Sequence, residues 1–122
     1  MSPQEAPVSK VIHAVHGGRI RIEAVVLDDG SCPAEAFLQE LGESDTAKMM
    51  ALFSLFVERF PKRLSSEKFK CFQIRMPCFF SGHGRVLLTH GLIKKADRLR
   101  AGDIKRAREI KATFERSVKA HG

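Results

Sequence analysis

A chain of 122 residues with 43% hydrophobic and 29% charged residues can build one core without disulfides or metal. Its three cysteines, Cys32, Cys71 and Cys78, are odd in number and lack C-x-x-C spacing, which argues against a disulfide framework or a zinc site. No apolar run approaches the length of a membrane span and the polar N-terminus lacks a signal-peptide core, so a cytoplasmic protein is expected.

The net charge of +7 is unevenly spread. Residues 1–60 hold five Lys or Arg against nine Asp or Glu, whereas residues 61–122 hold sixteen against five, a local balance of +11. Such asymmetry points to a polyanion-binding face. Membrane binding fits poorly: there is no Trp or Tyr, and the basic C-terminal segment offers only Phe114 as an aromatic anchor.

In chain order, residues 1–9 read as a flexible leader and 10–122 as a single domain. Val11–Val15 and Arg19–Leu27 predict two strands about the Gly17-Gly18 turn. The second alternates Ile20, Ile22 and Ala24 with Arg19, Arg21 and Glu23, so it is expected to be half buried. Asp28-Asp29-Gly30 stops it.

Pro33 suits the first position of a helix capped by Cys32 or Ser31, with Phe37, Leu38 and Leu41 inward and Gly42 at its end. A second helix is predicted from Ser44–Thr46 to Pro61, its core stripe Met49, Leu52, Phe53, Phe56 and Phe60. Three strands follow at 67–72, 74–80 and 85–93, the last two separated by Ser81-Gly-His-Gly84. A closing helix over about 100–120 would turn Ile104, Ala107, Ile110, Phe114 and Val118 inward and Lys105, Arg106, Arg108, Lys111, Arg116 and Lys119 outward. The order β-β-α-α-β-β-β-α predicts an α+β domain, an antiparallel β-sheet with helices packed against it.

The segment Arg85-Val-Leu-Leu-Thr-His-Gly-Leu-Ile-Lys-Lys95 carries the most information. An apolar strand ends in two lysines whose mutual repulsion an anion such as phosphate would relieve. A solvated lysine pair closing a strand explains the same residues, as a hydrogen-bonded core histidine explains His90 and a surface arginine explains Arg75.

Taken with Phe69-Lys70, Arg75-Met-Pro-Cys-Phe-Phe80 and Asp103-Ile-Lys-Arg-Ala107, this segment resembles the RelE/ParE toxin superfamily. Within it the resemblance is to the HigB-like and phage-derived toxins of type II toxin–antitoxin pairs, over about residues 20–116. It implies a RelE-like fold and a metal-independent endoribonuclease that cleaves mRNA on the ribosome, uses no cofactor, and is silenced by a helix-turn-helix antitoxin. The toxin alone would be a monomer or weak dimer.

In that chemistry the RNA 2′-oxygen attacks the adjacent phosphate, which calls for a proton acceptor, cations for the developing charge and an acid for the leaving oxygen. By the resemblance Lys70, Arg75, Lys94 and His90 are the catalytic residues. RNA contacts are expected from Lys62, Arg63, Lys68, Phe79, Arg85 and Lys95. The chain departs from the family at Lys68, usually Glu; at Cys78, often Tyr; and at Leu99-Arg100, usually Thr-Pro. A non-catalytic interaction protein of the same fold, gyrase-inhibitor-like or a degenerate phage-derived protein, is the alternative expectation.

Overall fold

The computed structural model describes residues 7–59, 68–82, 84–94 and 100–121. The expectations for Phe60, Pro61, Lys62, Arg63, His83 and Lys95 lie outside these residues. Among the described residues six strands and three helices run in the order β1 (Ser9–His13), β2 (Arg21–Val25), α1 (Pro33–Glu40), α2 (Glu43–Arg59), β3 (Lys68–Cys71), β4 (Ile74–Ser81), β5 (Arg85–Leu88), β6 (Leu92–Ile93) and α3 (Ala101–His121). The α+β class is as expected. None of the described helices is long and apolar enough to cross a membrane.

The sheet order is β1-β2-β5-β4-β3, with β6 also paired to β4. It is mixed rather than wholly antiparallel: β2 and β5 run parallel, Ile22 beside Val86 and Ala24 beside Leu88. The physical reason is the path of the chain. The helical pair α1–α2 and the β3–β4 hairpin separate β2 from β5, a crossover long enough to return a strand in the same direction.

Ser9 opens β1, and the Val8 carbonyl accepts a hydrogen bond from the Val26 amide.

Alternation along each strand sorts side chains onto two covered faces. Ile22, Ala24, Phe69, Ile74, Met76, Cys78, Val86 and Leu88 join Met49, Phe53, Phe56 and Val57 of α2 and Ala34 and Leu38 of α1 in the main core. Phe69 receives Phe53 and Phe56 edge-on, with centroids 4.9 and 5.3 Å away. The opposite face is covered more thinly: Val25 and Leu87 pack with Ile110 and Phe114 of α3, and Phe79 and Val118 fill in at the side.

Cover on both faces corrects one expectation. Glu23, read as an outward residue of a half-buried strand, is only 4% exposed. Ile104, expected inward, is 40% exposed; the α3 residues in the core are Ile110 and Phe114, with Val118 beside them.

The helix signals act as the residues dictate. Pro33 sits in the first turn of α1 behind Cys32, whose carbonyl accepts the Ala36 amide. Thr46 Oγ1 donates back to the Leu38 carbonyl at 3.0 Å, tying the start of α2 to the end of α1.

The strand predicted over 85–93 is divided in two. β5 pairs with the second half of β4, Leu88 opposite Cys78, and β6 pairs with its first half, Leu92 opposite Arg75. The register slips by one residue between them, a bulge at Thr89–Gly91. Pro77 has no amide to offer at this point, and its carbonyl takes the Thr89 amide. Gly91 lies where any Cβ would strike the Phe37 ring, so the bulge needs glycine there.

Candidate nucleic-acid interface

The bulge and the β3–β4 hairpin determine where the expected site residues go. On β4 the residues Arg75, Pro77, Phe79 and Ser81 alternate with the core set and therefore lie on the α3 face. Lys68 and Lys70 share that face through their pairing with Pro77 and Arg75. Arg85, paired with Ser81, lies there too. Five of the expected residues thus share one face of the sheet, in two different settings.

At the hairpin end, Lys70 is exposed and stands directly opposite Arg75. Arg75 is 5% exposed, and its Nη1 donates to the Phe72 carbonyl and, at 2.9 Å, to the Ile74 carbonyl. Its guanidinium therefore ties down the turn that joins the two strands. Lys94 reaches the same place from β6: its amide donates to the Gln73 carbonyl at 2.6 Å. Lys70, Arg75 and Lys94, separated by up to two dozen residues in sequence, meet around one two-residue turn.

At the other end, Phe79 and Arg85 are engaged with α3. Phe79 meets Phe114 with centroids 5.6 Å apart, and Lys111 Nζ lies 5.5 Å from the Phe79 ring. Arg85 stands 5.5 Å from the Phe114 ring, places Nη1 3.9 Å from Glu23 and Nη2 3.5 Å from Ser81 Oγ. Glu23 also accepts hydrogen bonds from Arg21 and, at 2.6 Å, from Ser9 Oγ. Phe79 and Arg85 are thus partly buried, packed against α3 and the Glu23 cluster.

His90 lies in the bulge and is 1% exposed. Nδ1 is 3.1 Å from Thr89 Oγ1, and Nε2 is 3.6 Å from Asp103 Oδ1, too long for a hydrogen bond. Burial, with help from the Arg106 guanidinium, pushes its pKa below the ordinary histidine value; Asp103 opposes this in part. The residue links the bulge to the first turn of α3 and is shielded from any bound strand.

Sequence reasoning missed Phe72 and the buried Glu23. Phe72 was expected as the last residue of a strand over 67–72; β3 ends instead at Cys71, and Phe72-Gln73 forms the turn. A cavity of about 320 Å³ lined by Val15, His16, Gly17, Gly18, Arg19, Val57 and Glu58 contains none of the expected residues. Among the described residues no group of three or more His, Cys, Asp or Glu side chains could hold a metal ion. No family model, curated protein or solved structure matches the chain.

Proposed function

We propose that the chain is the toxin of a type II toxin–antitoxin pair, a RelE-like, metal-independent endoribonuclease that cleaves mRNA on the ribosome. The observation that carries this reading is the convergence of Lys70, Arg75 and Lys94 about the β3–β4 turn. Attack of a 2′-oxygen on its neighbouring phosphate concentrates negative charge on the phosphoryl oxygens. Cations gathered about one turn, on β3, β4 and the end of β6, would stabilise that charge. Lys70 is the exposed member and would contact the phosphate. Arg75 holds the turn and adds its charge from behind, and His90 acts as a positioning residue through the start of α3.

A second reading, a non-catalytic binder using the same face, is favoured by one observation. Arg75 directs its donors at backbone carbonyls and His90 is buried, so among the described residues the hairpin end has no accessible imidazole for proton transfer.

Incubation with mRNA and translating ribosomes, followed by mapping of RNA 5′ ends, separates the two readings. Cleavage at defined sites that persists in EDTA and disappears in Lys70→Ala supports the nuclease. Intact RNA bound in a salt-dependent manner supports the binder. Absence of both cleavage and binding overturns both.

A further inference from the structure

Phe72 is the most exposed large hydrophobic residue described, at 72%. It is also the one described non-glycine residue with positive φ, at 54°. A two-residue turn with this backbone is the place for Asn or Gly, whose side chains tolerate the left-handed region and water. An aromatic ring here is unfavourable on both counts, and Arg75 holds the turn in place by binding the carbonyls of Phe72 and Ile74. The strain and the exposure fall on the same residue, which presents its apolar ring to solvent from a pinned turn.

The surroundings indicate what the ring would meet. Lys48 of α2 places Nζ 4.8 Å from the ring centroid, Lys70 is exposed two residues away, and the Lys94 backbone is bonded to the neighbouring Gln73. An exposed flat ring with the Lys48 ammonium against it and the exposed Lys70 two residues along the chain complements a flat base and its phosphate. We infer that Phe72 is a stacking platform for an unpaired nucleobase, so that this end of the sheet takes single-stranded RNA rather than duplex. Bases within a duplex already have both faces stacked and cannot reach a protruding ring. The inference rests on the RNA-binding reading above and adds the form of RNA that is bound.

The test uses the full chain, fluorescence anisotropy, and a labelled RNA of about 12 nucleotides offered single-stranded or annealed to its complement. Phe72→Gly removes the ring and releases the positive-φ strain, so its melting temperature should equal or exceed that of the wild type. Its affinity for the single strand should fall roughly tenfold, with the duplex affected by less than about twofold. Phe72→Trp should retain single-strand binding. If Phe72→Gly binds the single strand like the wild type, or loses both forms equally, the platform is refuted while RNA binding stands. If the wild type binds neither RNA, the RNA-binding reading falls and the platform with it.

Discussion

Lys70 and Arg75 face each other across the β3–β4 pair, and their side chains have opposite surroundings. Lys70 is exposed, whereas Arg75 is buried and bound to the carbonyls of Phe72 and Ile74. Two cations in adjacent positions thus divide into one that can meet an anion and one that shapes the turn beneath it.

This division predicts different outcomes for the two alanine variants. Lys70→Ala should lower RNA cleavage by about 10²-fold, as loss of a preorganised charge does, while changing stability by less than about 0.5 kcal/mol. Arg75→Ala should destabilise the fold by about 1–3 kcal/mol because buried carbonyls lose their donors. Arg75→Lys should restore it only in part, since the compact, strongly hydrated ammonium costs more to bury than a guanidinium. Urea titration beside a cleavage assay reads both quantities. Equal stability loss in both alanine variants would refute the division.

Glu23 should behave as a structural residue. It is buried among Ser9, Arg21 and Arg85, and it helps hold Arg85 against Phe114. Removing one partner of a buried ion pair leaves the other uncompensated, so Glu23→Ala should cost about 3 kcal/mol, reduced by the partial exposure of Arg21. Glu23→Gln, which keeps an acceptor for Ser9, should cost less. A denaturant midpoint for Glu23→Ala unchanged from the wild type would show that the cluster adds nothing.

Much of the frame was legible because local rules and tertiary demands agree. Pro33 begins α1, and the Met49, Phe53 and Phe56 stripe of α2 lies in the core. The expectations that failed depended on long-range geometry. Glu23 alternates correctly along β2, but that pattern cannot show that α3 will cover its face. The bulge at Thr89–Gly91 arises from Pro77 on another strand and from the Phe37 ring of α1, neither visible within the apolar run. For the site, the sequence marks cations near strand ends. It does not show that Arg75 turns inward or that Phe79 and Arg85 lie against α3.

That last difference sets a salt-dependence prediction. Each phosphate contact to a single strand contributes about 0.7 to the slope of log affinity against log salt. Lys70→Ala should therefore shallow the slope by roughly that amount. Arg85→Ala should leave the slope unchanged, because Arg85 faces Glu23 and the Phe114 ring rather than solvent, yet should lower stability. Anisotropy titrations over a range of salt measure both slopes. A shallower slope in Arg85→Ala would return Arg85 to the RNA-contacting surface.

His90 gives the stability a predictable dependence on pH. Its pKa in the folded protein is lowered, chiefly by burial and then by Arg106, so the unfolded chain takes up a proton at higher pH than the folded one. Below the unfolded value of about 6.5, acidification favours the unfolded state, and the contribution is lost progressively as pH falls towards the folded value. One such group can tilt stability by at most about 1.4 kcal/mol per pH unit. The wild type should therefore lose stability between about pH 7 and 5 more steeply than His90→Asn, which has no proton to gain. Asp103→Asn removes the neighbouring carboxylate that favours the charged ring. It should carry the loss to lower pH. Arg106→Ala removes an opposing cation and should end the loss at higher pH. Urea midpoints for the four proteins across this range give the slopes directly. If His90→Asn follows the wild-type curve throughout, the buried imidazole is not the group that couples folding to pH.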